Sequence, residues 1–163
     1  MHQPVIDHVT RIKRLRPDLF IGKRVLEIGS LDINGAVRSY FEDCEYLGID
    51  LVYGKGVDLV MHGADVGAEF DVVISTEALE HDFRYEKRLT IVGRIASAFS
   101  CTCATFGRAE HGTAKFNPQD SPATNDYYGN IDPSEFIKHF KGWNYELKVE
   151  GTDLLFWGVK RGD

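Results

Sequence analysis

Cysteine is scarce in this chain of 163 residues: there are three. Cys44 stands alone, and Cys101 and Cys103 lie two positions apart in an apolar run. An odd count with no second paired cluster is a poor disulfide framework and a poor zinc site. Residues two apart on a strand share a face, so the thiols read as buried and reduced in a cytoplasmic protein. Long apolar runs are missing too. None approaches the roughly 18 residues that a membrane span needs. The start, Met1-His2-Gln3-Pro4-Val5, lacks the basic-then-apolar layout of a secretory signal. Positive charge is the minority sign, with 19 Lys and Arg against 25 Asp and Glu and a formal charge of −6. That balance argues against a broad phosphate-binding face and makes a nucleic-acid partner an unfavoured reading. There is no internal repeat and no low-complexity tract. What remains is an ordinary globular composition, at a length that buries about 68–70% of the unfolded surface without staples. A single domain over 1–163 is expected.

Apolar residues at Val5, Ile6, Val9, Ile12 and Leu15 predict an amphipathic N-terminal helix, stopped by Pro17. Short apolar runs predict strands over 24–28, 46–50, 57–61, 71–75 and 100–106, and two closing strands over 145–149 and 154–160. Helical spacing predicts helices over 36–41 and 84–99, the second with Leu89, Val92, Ile95, Ala96 and Phe99 inward. Asp132-Pro133-Ser134-Glu135 carries an N-cap residue, Pro at N1 and Glu at N3, and predicts a further helix to Lys141. Strand and helix alternate through five strands, and a hairpin follows. The expected fold is therefore α/β: a three-layer sandwich with a mostly parallel seven-stranded sheet and one antiparallel strand from the C-terminal hairpin.

The most informative segment is Val25-Leu26-Glu27-Ile28-Gly29-Ser30-Leu31-Asp32-Ile33-Asn34-Gly35, with Asp50 lying 21 residues beyond Gly29. A strand ends in a Gly-bearing loop that lets the backbone approach a ligand. An acidic residue about 20 residues on, at the end of the next strand, suits the two hydroxyls of a ribose. An unpaired charge closing an apolar strand is costly, so the Asp50 carboxylate is expected in a cleft at the carboxyl end of the sheet.

This segment resembles the first motif of class I S-adenosylmethionine-dependent methyltransferases, in which an acidic residue, here Glu27, stands where a dinucleotide fingerprint has glycine. Tyr46-Leu47-Gly48-Ile49-Asp50 resembles the second motif. Phe70-Asp71-Val72-Val73-Ile74-Ser75-Thr76-Glu77-Ala78-Leu79-Glu80-His81 resembles the fourth-strand motif that ends in Leu-Glu-His. The resemblance covers about residues 20 to 106 in detail. One departure is Leu31, where Glu-x-Gly-x-Gly would place a second glycine. The resemblance implies a Rossmann-like fold and S-adenosylmethionine as cofactor, with Glu27, Gly29, Ser30, Asn34, Gly35, Asp50, Leu51, Thr76 and Glu77 at its site. It also implies a polar residue near the adenine amino group, for which His62, Gly63, Ala64 and Asp65 are candidates and Asp65 is preferred. Glu80 and His81 have an alternative reading as caps that position the following helix.

Residues 107–130 form a long polar stretch after the fifth strand, where ligands bind in such sheets. The expectation is a substrate lid, with Arg108, Tyr127 and Tyr128 toward the acceptor; a mobile loop or an oligomer contact are the alternatives. His111 and His81 are the candidate catalytic groups, since an imidazole titrates near neutral pH. His62, His81 and His111 with Asp65 match no compact metal-ligand spacing, so no metal is expected. The Gly-bearing loop also lacks the Lys-Ser/Thr of a P-loop. The chain has no Asn/Asp-Pro-Pro-Tyr/Phe, the usual signature of amine methylation on nucleic acid bases, and a small molecule or glycan-type acceptor is the preferred substrate. The rival readings are a non-catalytic cofactor-binding module of the same fold and a nucleotide-linked oxidoreductase. Glu27 and the missing Gly-x-Gly-x-x-Gly disfavour the second.

Overall fold

The structure, a computed structural model, describes residues 2–162. One seven-stranded sheet carries the fold, in the order β3-β2-β1-β4-β5-β7-β6. The strands are β1 (Arg24–Ile28), β2 (Glu45–Asp50), β3 (Leu59–Val60), β4 (Phe70–Thr76), β5 (Ala96–Ala104), β6 (Trp143–Glu150) and β7 (Asp153–Lys160). Strands β1 to β5 pair in parallel, and β7 runs antiparallel to both β5 and β6. This is the expected Rossmann-like arrangement. Its helices are α1 (Gln3–Leu15), α2 (Tyr85–Ile95) and the single turn α3 (Pro133–Phe136), which tightens into a 3₁₀ turn over Ile137–Phe140.

Consecutive strand residues point to opposite faces, and both faces of this sheet are covered. Leu26, Val73 and Phe99 pack with Leu89, Val92 and Ile95 of α2 and with Phe136 and Phe140. Their neighbours Val25, Val72 and Ala98 pack with Val9 and Ile12 of α1, and with Phe20 and Val37. Full burial of each such side chain stabilises the fold by about 1.5–3 kcal/mol. Cys101 and Cys103 are buried free thiols on the α2 face, whereas Cys44 is only half-buried. No helix among the described residues is long and apolar enough to cross a membrane.

Four elements differ from expectation. Helix α2 ends at Ile95, and 96–99 belongs to β5, with Ala96 paired to Phe70 and Phe99 to Val73. The apolar spacing fits either assignment there, because the helix passes into the buried strand with no turn residue between them. The helix expected over 36–41 is one 3₁₀ turn, Arg38–Tyr40. Its Arg38 is drawn away to Asp58, at 2.9 Å, and to the face of the Tyr46 ring. One turn cannot offset helix nucleation by itself. Strand β3 is reduced to two residues. The last helix is only partly α-helical, although Asp132 caps it as expected by accepting from the Ser134 amide.

Candidate functional site

Strand order reverses between β1 and β4, since β2 and β3 lie on one side of β1 and β4 and β5 on the other. Open α/β sheets leave a crevice at the carboxyl ends of their strands there. At the end of β1 the Gly29 and Ser30 amides both donate to the Ile49 carbonyl, at 2.9 and 3.1 Å. Gly29 has φ +82°, and a Cβ there would come within 2.5 Å of the Ala78 Cβ. Glycine is thus required both by conformation and by space. Beyond it the loop is pinned from below by the 54–56 turn: the Asp32 amide donates to the Lys55 carbonyl at 2.8 Å, and Lys55 Nζ reaches Asp32 at 2.6 Å.

Asp50 closes β2. Its Oδ2 accepts from the Leu31 amide at 3.1 Å and its Oδ1 from the Leu51 amide at 2.7 Å. Each oxygen carries one bond and keeps further acceptor capacity. Glu27 is buried, and Oε2 accepts from the Tyr46 hydroxyl at 2.8 Å. Burial raises its carboxyl from 4.5 to about 7, against the pull of Tyr46 and Arg38 and aided by the charges of Asp32 and Asp50.

At the end of β4, Glu77 takes a left-handed conformation, φ +52°, which non-glycine residues rarely adopt. This sharp turn returns the chain beneath the end of β5. There Glu80, wholly buried, accepts from the Ala104 amide at 3.1 Å through Oε1, and its carbonyl accepts from the Gly129 amide at 2.8 Å. Burial, then the charge of Glu77, push its carboxyl upward. Neither Glu80 nor His81 caps the following helix, which begins at Tyr85 with Arg84 as its N-cap. His81 is buried, and burial, with the charges of His111 and Arg88, lowers it to about 4. Its ring lies edge-on to those of His111, at 5.0 Å, and Tyr128, at 5.6 Å.

These features converge on one cleft of about 430 Å³. Strand β1 contributes Glu27 to its walls, the loop after it Gly29, Ser30, Asn34 and Gly35, and the end of β2 Asp50 with Leu51 just beyond it. The far wall holds Thr76, Glu77, His81, Arg108 and His111. Three sequence-predicted residues lie outside it. Asp65 is the exposed last residue of a 3₁₀ turn, paired with Arg84 at 2.8 Å and Lys87 at 3.4 Å. Tyr127 lies against Phe83, and the Tyr128 ring packs behind the two histidines with its hydroxyl donating to Asn130 at 2.9 Å. Arg108 lines the cleft but is engaged by Asp153 and Glu77. The sequence grouping of His62, His81, His111 and Asp65 is split by the fold: His62 pairs with Asp82 at 3.1 Å, and Asp82 with the buried Arg88 at 3.2 Å.

His62 and Gly63, two of the four candidates for the adenine contact, line the cleft beside Met61, and 120–124 from the long loop form another wall. Met61 and 120–124 carry no sequence signal. The second group is a plain polar turn, Asp120-Ser121-Pro122-Ala123-Thr124. Only the path of the loop places it over the cleft.

No protein-family model matches the chain, and no curated protein matches it. Solved structures do. The N-terminal domain of EvdMO1, determined in the presence of SAH and D-fucose, is similar with a TM-score of 0.66 at 17% identity, over 98% of this chain and 84% of that one. Phosphoethanolamine N-methyltransferase 2 of Haemonchus contortus, in complex with S-adenosyl-L-methionine, gives 0.67 at 16% identity, over 96% of this chain and 52% of that one. Magnesium protoporphyrin IX methyltransferase from Synechocystis, with bound SAH, gives 0.61 at 16% identity, over 98% and 84%. At such identities the likeness is one of fold. The chain has the Rossmann-like fold of class I S-adenosylmethionine-dependent methyltransferases.

Proposed function

We propose that the cleft binds S-adenosylmethionine and that the protein transfers its methyl group to a small-molecule or glycan-type acceptor. The observation that carries this reading is the pairing of Gly29 with Asp50. A glycine that admits no Cβ leaves the loop backbone bare, and a carboxylate with spare acceptor capacity faces the same space. Asp50 accepts from the ribose hydroxyls. Leu51 and Met61 supply apolar sides for the adenine, beside His62, whose two ring nitrogens are held by Asp82 and by the Ala64 amide. Glu27, Thr76 and Glu77 line the end that receives the methionine portion.

When bound, the cofactor supplies a sulfonium whose methyl group is already activated toward nucleophiles. The protein's task is then to hold an acceptor in line with it. His81, His111 and 120–124 bound the part of the cleft left for that acceptor. The loop over 107–130 excludes water there, as lids do. Arg108 is committed to two carboxylates, so an anionic acceptor group must displace one of them to gain its guanidinium. The net charge of −6 and the modest cleft favour small acceptors. Two of the similar structures were determined with D-fucose and with phosphomonomethylethanolamine. The test is transfer of a labelled methyl group from S-adenosylmethionine to a panel of sugars, amino alcohols and phenols, read by mass spectrometry. A labelled product supports the reading. Cofactor binding with no product from any class would favour the non-catalytic module.

A further inference from the structure

Three side chains, His81 and His111 of the cleft wall and the buried Glu80 behind them, sit close together without completing one another. One donor atom from each of Glu80, His81 and His111 lies within 4.8 Å of the other two. Glu80 is 0% exposed, and although Oε1 is used by the Ala104 amide, Oε2 has no partner. His81 is 6% exposed, and its Nδ1 has none either. A buried polar atom left without a partner is costly, and a charged one more so. Two of them in one place call for a shared partner. Neighbouring cations do not supply it. Arg108 is taken by Asp153 and Glu77, and Arg88 by Asp82 and the Ala78 carbonyl.

We propose that Glu80, His81 and His111 form a binding site for a divalent first-row transition ion. Two imidazoles and one carboxylate with open positions suit such ions, whereas magnesium and calcium prefer all-oxygen sets. The ligands are also prepared as ligands. His111 Nδ1 lies 3.1 Å from the Ala109 carbonyl. Donation to that oxygen fixes the tautomer and leaves Nε2 with its lone pair free, the outer-shell support that ligating histidines usually have. The Tyr128 ring, 4.9 Å from His111 and 5.6 Å from His81, holds both imidazoles from behind. A filled site draws its donors to about 2.0–2.2 Å from the ion. Glu80 is bonded to the end of β5 and His81 is buried, so His111, half-buried on the long loop, is the ligand that moves in. A second group, His2, Glu77 and Asp153, is as compact. Its two carboxylates already hold a cation, the Arg108 guanidinium, and it is not assigned a metal. His81 and His111 line the cleft, so the open positions of an ion face the acceptor space. The preferred acceptor is then one that presents two adjacent oxygens, as a vicinal diol does. This last step rests on the methyl-transfer reading; ion binding does not.

The test is a titration of chelator-treated protein with Mn²⁺, followed by loss of the free-ion electron paramagnetic resonance signal, without cofactor present. One Mn²⁺ per chain is expected, displaced by Zn²⁺, which binds such sets more tightly, and not by comparable Mg²⁺. His111→Ala and Glu80→Gln should each weaken binding at least about tenfold, some 1.4 kcal/mol. Asp65→Asn, outside the cleft, should leave it unchanged. His111 is a loop residue, so its variant keeps the fold if Glu80→Gln does not. Absence of stoichiometric Mn²⁺ and Zn²⁺ binding, or binding indifferent to His111→Ala, would overturn the proposal. A parallel titration with S-adenosylhomocysteine separates the two readings. Nucleoside binding without Mn²⁺ binding sinks the metal site alone, and Mn²⁺ binding without nucleoside binding sinks the cofactor reading alone.

Discussion

Glu27→Gln tests the electrostatics of the cleft floor. Glu27 is 3% exposed, its Oε2 is bonded to the Tyr46 hydroxyl, and burial lifts its carboxyl from 4.5 to about 7. A raised acid is a group that the fold prefers protonated. Its contribution to stability is fully present below pH 4.5 and is lost as the pH rises through about 7. At about 1.4 kcal/mol per tenfold change, that gap amounts to roughly 3 kcal/mol against the wild type at pH 8. Glutamine keeps the shape and an acceptor for Tyr46 and removes the charge. The variant should match the wild type near pH 4.5 and exceed it by up to about 3 kcal/mol at pH 8. The assay is urea denaturation from pH 4.5 to 8.5, comparing midpoints at equal slope. Parallel stability curves, or a variant weaker than the wild type at pH 8, would refute the reasoning. Binding of a cationic cofactor favours the carboxylate, so affinity should also rise with pH through about 7 in the wild type and stay flat in Glu27→Gln.

His8 is buried against the Phe156 carbonyl, and burial lowers it from 6.5 to about 4, so the fold prefers it neutral. Stability should fall by up to about 3 kcal/mol as the pH drops from 6.5 toward 4, and His8→Gln should lose that part of the acid sensitivity in the same denaturation series. Gly29→Ala places a Cβ against Ala78 in a left-handed conformation, so it should cost about 1–3 kcal/mol of stability as well as ligand affinity, read as melting temperature and calorimetric binding; an unshifted melting temperature would show that the turn relaxes. Tyr128→Phe keeps the ring that backs His81 and His111 and removes only the bond to Asn130. It should leave turnover within about threefold, about 0.6 kcal/mol, while Tyr128→Ala lowers it at least about tenfold; equal losses in the two variants would place the hydroxyl in the chemistry.

The positions of most strands and the first loop were legible because their signals are local. Val25 to Ile28, Leu47 to Ile49 and Val72 to Ile74 are short, mostly apolar runs followed within three residues by a glycine or an acid, and parallel strands buried on both faces write that pattern directly. Signals failed where two local patterns coincide or where tertiary contact decides. Ala96 and Phe99 fit the helical spacing of α2 and the buried face of β5 equally well. Asp65 has the right chemistry for an adenine contact, yet the turn at Gly63–Asp65 aims it at Arg84 and Lys87. His111 stands 30 positions from His81. No spacing rule joins them to Glu80, because the left-handed turn at Glu77 and the path of 105–130 create that neighbourhood.

The central claim, that the Gly29–Asp50 cleft is a nucleoside cofactor site, is tested most directly by calorimetric titration with S-adenosylhomocysteine, with NAD as the comparison ligand. One site per chain is expected for S-adenosylhomocysteine and no saturable heat for NAD. Asp50→Ala removes charge-assisted bonds worth about 1.5–3 kcal/mol, so it should weaken binding at least about tenfold with the fold intact. Silence with S-adenosylhomocysteine, or an Asp50→Ala variant that binds it as the wild type does, would contradict the account.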